Sequence, residues 1–169
     1  MNYHKIDKCS ISNGIGFRTV LWVSGCSHHC DGCHNPETWD GDSGQIFDEV
    51  AKQELYDNLE HEYISGVTFS GGDPLYWSNR ASIEALTREI KEKYPSKTIW
   101  LYTGYDWYNI KDLYLMRYID VVVDGIYLKD HKDTTLPFRG SSNQRLIDVQ
   151  RSLQNNTLIL LGGNDYVGT

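Results

Sequence analysis

The order of apolar segments along the chain most constrains its fold. Short segments rich in β-forming residues alternate with longer segments whose apolar residues follow helical spacing. The predicted strands cover residues 17–24, 66–70, 98–102 and 119–123, with a further one at 157–161, and the predicted helices cover 45–62, 80–94 and 107–117. This alternation is typical of right-handed βαβ crossovers, so it predicts an α/β fold with a mostly parallel sheet.

Chain length limits how far such a sheet can close. A complete eightfold barrel needs about 250 residues, and this chain has 169. We therefore expect one domain spanning residues 1–169, folded as a partial, open (βα) barrel. In sheets of this kind, functional loops gather at the carboxyl ends of the strands.

Charge and hydropathy exclude several classes of partner. The formal net charge is -7, and acidic and basic residues are interspersed, which argues against nucleic acid or an anionic membrane as the main partner. No apolar run approaches the roughly 18 residues of a membrane span, and the polar start does not resemble a signal peptide. We expect a cytoplasmic protein whose partner is another protein or a small molecule.

Three cysteines are crowded into the segment that follows the first predicted strand. Cys26, Cys30 and Cys33 form a CxxxCxxC pattern, which is too tight for a disulfide framework and typical of metal ligation. A cubane iron–sulfur cluster normally takes four thiolates, so a cluster held by three has one iron free to bind a substrate or cofactor. The pattern therefore favours a cluster that performs chemistry over one that only passes electrons.

Two alternatives for these cysteines stay open. Zinc is one, with His28, His29 or His34 completing a tetrahedron, although no second CxxC exists to form the usual paired site. The other is a closed electron-transfer cluster with Cys9 as its fourth ligand. We expect instead that Cys9 is a buried, unligated thiol near the N-terminal strand.

A Gly-Gly-Asp-Pro turn follows the second predicted strand. Gly71 and Gly72 carry no Cβ and would let the backbone approach a ligand, and Asp73 could accept a hydrogen bond from an ammonium group. On its own, the turn is more often an ordinary loop. Thr103 and Asp124 follow the next two strands and are expected at the same rim, where Asp124 is either a ligand-side residue or a cap.

The cysteine pattern and this turn, in this order, resemble the radical S-adenosylmethionine superfamily. Further motifs resemble, within it, the activating enzymes of anaerobic class III ribonucleotide reductases. These motifs are Asn13-Gly14-Ile15-Gly16-Phe17-Arg18, Val23-Ser24-Gly25-Cys26, Cys33-His34-Asn35, Ser70-Gly71-Gly72-Asp73-Pro74-Leu75, Tyr102-Thr103-Gly104-Tyr105, Val123-Asp124-Gly125 and Phe138-Arg139-Gly140-Ser141-Ser142-Asn143-Gln144.

The resemblance implies a function. The three cysteines would hold a 4Fe-4S cluster whose fourth iron chelates S-adenosylmethionine. One-electron cleavage would then give methionine and a 5′-deoxyadenosyl radical, which abstracts hydrogen from a glycine of the partner reductase. A low-potential donor such as flavodoxin would supply the electron. Activation of another glycyl-radical protein, of the formate-lyase type, is the alternative within enzymes, and a non-catalytic iron–sulfur or zinc module is the alternative outside them.

The resemblance also assigns cofactor contacts around the cluster. It implies that the turn at Gly71, Gly72 and Asp73 holds the methionyl group. Gly32 replaces the aromatic residue that the superfamily usually has before the third cysteine, so the backbone around Cys33 and the ring of His34 would contact the adenine instead.

Two arginines carry weaker expectations. We expect Arg18 to form a surface ion pair, with contact to the cofactor carboxylate as the alternative. Arg139 is expected to contribute to docking of the reductase.

Overall fold

The computed structural model describes residues 1–162, which form one seven-stranded sheet with helices packed on it. The strands are β1 (Asn2–Ser10), β2 (Phe17–Val23), β3 (Gln45–Ile46), β4 (Ile64–Gly71), β5 (Thr98–Tyr102), β6 (Val121–Asp124) and β7 (Arg145–Asp148). The α-helices are α1 (Glu49–Leu59), α2 (Arg80–Lys93), α3 (Trp107–Ile110) and α4 (Val149–Asn155), and short 3-10 helices cover Pro36–Thr38, Tyr114–Arg117 and Lys129–His131.

The sheet is parallel at its centre and antiparallel at both sides. Its strand order is β3-β1-β2-β4-β5-β6-β7, and β2, β4, β5 and β6 run parallel. β1 pairs antiparallel with β2 and β3, and β7 pairs antiparallel with β6. The α/β class and the parallel centre are therefore confirmed, in an open sheet.

The two faces of the sheet are packed differently. Because side chains alternate along a strand, Leu21, Phe69 and Leu101 all face the helices, where they join the main apolar core. The opposite face carries Trp100, Val121, Val123 and Leu146, a smaller apolar cluster. Arg18 lies on this second face with Val20 and Trp22, so a charged side chain occupies part of the interior.

Helices α1 and α2 confirm the helical spacing read from the sequence. Asp48 caps α1 because its carboxylate accepts hydrogen bonds from the backbone N–H groups of Val50 and Ala51, both 3.0 Å away. The predicted start at residue 45 was wrong, since Gln45 and Ile46 pair with β1 instead. Buried apolar residues define the inner faces, namely Ala51, Leu55, Tyr56 and Leu59 on α1 and Ile83, Leu86 and Ile90 on α2.

The C-terminal part departs further from the prediction. The helix expected over 107–117 is split into α3 and the 3-10 helix Tyr114–Arg117. The strand expected at 157–161 is only an isolated bridge between Leu160 and Ile147. β7 and α4 were not predicted, because a four-residue strand and a seven-residue helix carry too few apolar residues to establish a period.

Strand β1 was also not predicted as an element, because its residues are mostly polar and only partly buried. Cys9 lies on this strand and is exposed, so the expectation of a buried thiol was wrong. The strand is stabilised by pairing with β2 rather than by an apolar face of its own.

Arg18 contradicts the expected surface ion pair, because its side chain is fully buried. The guanidinium donates hydrogen bonds to the hydroxyl of Thr68 at 2.7 Å, to the carbonyl of Val67 at 2.6 Å and to both the carbonyl and the hydroxyl of Thr98 at 2.9 Å. Its charge therefore sits among neutral oxygens and lies 5.3 Å from the ring of Trp100. This burial lowers the pKa of Arg18 to about 9.

Within residues 1–162, none of the helices has the length and apolar character needed to cross a membrane.

Candidate active site

A cleft of about 270 Å³ opens at the carboxyl ends of β2, β4 and β5. Cys26, Cys30 and Cys33 all line it. The cysteine segment also contributes His28 and His34 to the lining. Further lining residues come from the turns after β4, β5 and β6 and from the loop before β7, and they include Gly71, Gly72, Asp73, Thr103, Gly104, Gly125, Tyr127, Gly140 and Gln144. Two larger grooves, of about 690 and 620 Å³, lie elsewhere, and no cysteine lines them.

The three cysteines present free, partly buried thiols to this cleft. The Cys33 sulfur accepts a hydrogen bond from the backbone N–H of Asn35 at 3.4 Å. Hydrogen bonds of this kind stabilise thiolate ligands and tune iron–sulfur clusters. The donor set therefore fits a cluster held by three cysteines.

The same cysteines do not form a site for a single ion. Among the residues that the structure describes, no three histidine, cysteine, aspartate or glutamate side chains converge as one metal ion requires. Of the three histidines considered as zinc ligands, His28 is bonded to Asp73 and His29 is stacked on Trp39, whereas His34 lines the cleft.

Burial affects the protonation of the thiols. Desolvation raises the pKa of Cys26 to about 11 and also raises the pKa of Cys30. Both groups therefore carry protons at neutral pH in the metal-free protein. Binding of iron must release those protons, because the thiolate is the ligand.

Cys9 cannot complete the set. It precedes Ser10, which pairs with Arg18 at the start of β2, whereas the cysteine segment follows Val23 at the end of that strand. The five residue steps from Arg18 to Val23 span roughly 16 Å. Cys9 therefore lies at the far end of the sheet from the cleft, which argues against a closed cluster with four cysteine ligands.

The Gly-Gly-Asp turn packs against the cysteine segment. Gly72 donates its N–H to the carbonyl of Val23 at 2.8 Å, and Asp73 donates to the carbonyl of Gly25 at 2.7 Å. A Cβ on Gly72 would lie 2.5 Å from the Gly25 oxygen, and one on Gly71 would lie 2.5 Å from the backbone of Val23. Both glycines line the cleft. However, the absence of a Cβ lets β2 and the loop after it pack closely against these glycines, and it is this backbone, rather than a ligand, that a side chain would meet.

The Asp73 carboxylate is buried and fully engaged by protein groups. It accepts hydrogen bonds from the N–H of Leu75 at 2.7 Å, the N–H of Gly104 at 3.0 Å, the ring of His28 at 2.8 Å and the hydroxyl of Thr103 at 2.9 and 3.0 Å. The expected free acceptor for a ligand ammonium is therefore occupied. Thr103 lies at the rim as expected, and its hydroxyl joins the ends of β4 and β5.

Gly32 and His34 occupy different positions relative to the cleft. His34 lines it and is exposed, with its ring tilted against Tyr127 at 5.5 Å between centroids. Gly32 does not line it and lies in an exposed turn beside the side chain of Lys129. Lys129 also forms an exposed ion pair with Asp31 at 3.3 Å.

Asp124 lies beside the cleft but does not line it. Its side chain is fully buried; one oxygen accepts from the N–H of Trp107 at 2.8 Å, at the start of α3, and both accept from the guanidinium of Arg145. These hydrogen bonds raise the pKa of Arg145. The arrangement matches the capping alternative, with an ion pair added.

The loop before β7 closes one side of the cleft. Gln144 holds it together, since its side-chain oxygen accepts from the N–H groups of Gly140 and Ser141 and its amide donates to the carbonyl of Gly125. Arg139 is partly buried and donates to the carbonyl of Gln144 at 3.1 Å. Tyr127 was missed by sequence reasoning, because a lone tyrosine in a loop carries no pattern.

Comparisons with known proteins agree with this geometry. A family model described as a 4Fe-4S single cluster domain matches residues 12–147. The anaerobic ribonucleoside-triphosphate reductase-activating protein of Enterobacteria phage T4 is 47% identical over 146 residues, covering 86% of this chain and 93% of that protein. The proteins of the same name from Escherichia coli K12 and Haemophilus influenzae are 42% and 38% identical over 148 residues, covering 85% of this chain and 96% of each. The chain therefore belongs to the family of anaerobic ribonucleoside-triphosphate reductase-activating proteins and carries its 4Fe-4S single cluster domain.

Proposed function

We propose that this chain activates an anaerobic ribonucleotide reductase by reductive cleavage of S-adenosylmethionine at a 4Fe-4S cluster. The cluster would be held by Cys26, Cys30 and Cys33, with one iron left open for the cofactor. When bound and given one electron, these groups would release methionine and supply a 5′-deoxyadenosyl radical, which would take a hydrogen atom from a glycine of the reductase and leave a glycyl radical there.

One observation carries this proposal. Three cysteines line one cleft while the fourth cysteine of the chain lies at the opposite end of the sheet. A cluster in that cleft has one iron without a cysteine ligand, and the cleft beside it has room for a small molecule. The names of the relatives support the reductase as the target over another glycyl-radical protein.

The residues around the cleft would bind and orient the cofactor. We assign the methionyl end to the turn at Gly71 and Gly72, which lies directly against the cysteine segment. Asp73 and Thr103 would support that end by joining the β4 and β5 turns. Such fixed positioning brings the reacting groups together without a diffusive encounter.

The adenine end would lie on the other side of the cluster, near the backbone at Cys33. The ring of His34 lines the cleft at this side and leans on Tyr127. Gly32 lies outside the cleft and would act only through the turn that its left-handed backbone, with φ of 72°, forms before Cys33. Asp124 would act indirectly, by holding Arg145 and the start of α3 beneath the rim.

The remaining parts of the proposal concern the whole molecule. We infer that residues 1–169 form one domain and that the open sheet corresponds to part of the (βα) barrel of radical S-adenosylmethionine enzymes. The electron would come from a low-potential donor such as flavodoxin, in the cytoplasm, and neither nucleic acid nor a membrane would be a partner.

The test is anaerobic reconstitution with iron and sulfide, followed by reduction with dithionite. We expect a reduced cluster whose electron paramagnetic resonance spectrum changes on adding S-adenosylmethionine, and release of 5′-deoxyadenosine. Addition of an anaerobic ribonucleotide reductase should then give a glycyl doublet. A preparation that binds no iron, or a cluster whose spectrum ignores S-adenosylmethionine, would contradict the proposal.

Activation of a formate lyase is the matched control for target choice. We expect no glycyl doublet on a formate lyase under conditions that activate the reductase. A doublet on the formate lyase alone would assign the chain to the alternative target and leave the radical chemistry intact.

A further inference from the structure

His28 lies between the first two cysteines, yet its side chain is bonded to Asp73 instead of being free to bind a metal. It is 15% exposed, and its Nε2 lies 2.8 Å from the Oδ2 atom of Asp73. A carboxylate only accepts hydrogen bonds, so the ring N–H is the donor. The ring edge also packs on Tyr105, with 4.8 Å between centroids and an angle of 76°.

The turn after β5 is shaped to receive this ring. A Cβ on Gly104 would lie 2.4 Å from the His28 ring, so any side chain at that position would displace it. Tyr105, the next residue, is held in turn by the guanidinium of Arg80, 5.3 Å from its ring. The His28 ring therefore fits a recess formed by the residues that follow β4 and β5.

Asp73 has no acceptor capacity left while His28 is bound. A carboxylate offers about four lone-pair sites, and four donors already occupy them, from Leu75, Thr103, Gly104 and His28. The side chain is only 1% exposed. A ligand ammonium could reach Asp73 only by replacing one of these donors.

The same segment is held from its other side by His29. This residue has a left-handed backbone, with φ of 46°, and its ring stacks on Trp39 at 4.7 Å. Both histidines lie between Cys26 and Cys30, so their anchored rings fix the path of the backbone between these two cysteines.

We infer that His28 is a positioning residue, held by Asp73, that keeps the segment from Cys26 to Cys30 in the geometry the cluster requires. The inference rests on the proposed function and deepens it. Asp73 then acts on the site through His28 and does not bind the cofactor ammonium directly. Loss of the ring frees the segment and moves the cluster relative to the cofactor turn.

The experiment compares His28→Ala with His61→Ala after anaerobic reconstitution. His61 is a matched control because its ring is outside the cleft, stacked on Tyr63. For His28→Ala we expect a changed spectrum of the reduced cluster and at least tenfold weaker binding of S-adenosylmethionine. We also expect the midpoint potential of the cluster to shift by at least about 59 mV, which is a tenfold change in the ratio of oxidised to reduced cluster. His61→Ala should match the wild type.

A conservative variant separates positioning from folding. His28→Gln retains an N–H donor for Asp73 and should recover most of the spectrum and the affinity, even if His28→Ala folds poorly by circular dichroism. If instead Asp73 exchanges His28 for the cofactor ammonium, His28→Ala should bind S-adenosylmethionine as tightly as the wild type or more tightly, which overturns the inference.

Failure of the inference differs from failure of the proposed function. A wild-type protein that assembles a cluster and binds S-adenosylmethionine, with a His28→Ala variant indistinguishable from it, refutes the positioning role alone. Wild-type protein that assembles no cluster refutes the proposed function.

Discussion

The hydroxyl of Thr103 donates to both carboxylate oxygens of Asp73, at 3.0 and 2.9 Å, and so joins the carboxyl ends of β5 and β4. Both side chains are buried. Hydrogen bonds to a buried charged group are among the stronger ones in proteins, because the unpaired charge has no water to replace the lost donor.

Thr103→Val should therefore lower the free energy of unfolding of the metal-free protein by about 1.5 to 3 kcal/mol. Chemical denaturation followed by circular dichroism measures the change. The matched control is Thr135→Val, which removes an exposed threonine bonded to Asp133 at 2.6 Å and should cost less than about 0.5 kcal/mol. Equal losses for the two variants would contradict the importance of burial at Thr103.

Arg18 should be one of the most sensitive positions in the sheet. Arg18→Met leaves the buried oxygens of Thr68 and Thr98 without a donor, so we expect a loss of at least about 3 kcal/mol in the free energy of unfolding. Arg151→Met is the control, because Arg151 is 58% exposed and pairs with nearby Asp148. A thermal or urea midpoint for Arg18→Met as high as that of the control would argue against a structural role for Arg18.

The position of Cys9 predicts that the cluster does not need it. Cys9→Ser should retain the iron and sulfide content of the wild type after reconstitution, whereas Cys26→Ser should lose most of both. Chemical iron analysis and visible absorption give the comparison. A colourless Cys9→Ser protein would place a fourth cysteine ligand on the cluster and end the argument for an open iron.

Asp124 and Arg145 should affect stability more than cofactor binding. Asp124→Asn keeps the shape but weakens the pairing with Arg145, so we expect a loss of about 1.5 to 3 kcal/mol in the free energy of unfolding. The dissociation constant for S-adenosylmethionine should stay within about threefold of the wild type. An unchanged stability with binding weakened tenfold or more would mean that Asp124 contacts the cofactor.

Arg139 tests whether the loop before β7 contributes to docking of the reductase. Arg139→Ala should reduce glycyl radical formation at least tenfold while uncoupled cleavage of S-adenosylmethionine continues, because the loop lies at the rim of the cleft. Arg151→Ala, on α4, should leave both unchanged. Equal loss of radical formation and cleavage would mean that Arg139 only maintains the site.

Long, periodic segments made most of the fold predictable. Apolar spacing was enough to predict β2, β4, β5, α1 and α2. The spacing of the three cysteines was enough to identify them as candidate metal ligands. β1 and β7 depend on pairing with neighbouring strands, which local composition does not encode. The burial of Arg18 was not predictable either, since its acceptors are backbone carbonyls and threonines brought together from β4 and β5.

The candidate site shows the same division. The cysteines and the Gly-Gly-Asp turn were recognisable as motifs, and the strand order brings them together. The roles of Gly72, Asp73 and His28 depend on packing between those loops, so sequence spacing could not reveal them. An aspartate in a loop is expected to be a free hydrogen-bond acceptor. In the structure, however, donors from three loops surround the Asp73 carboxylate.

The antiparallel strand β7 has a consequence for how the cleft is insulated. It takes the hydrogen-bonding edge of β6, and β1 takes the outer edge of β2, so neither side of the parallel centre can accept another strand-and-helix repeat. Residues 1–162 therefore form an open sheet that does not close around the cleft as a full barrel would. If the proposed radical chemistry takes place in this cleft, exclusion of bulk water would depend on the docked reductase, and cleavage would be well coupled only in the complex.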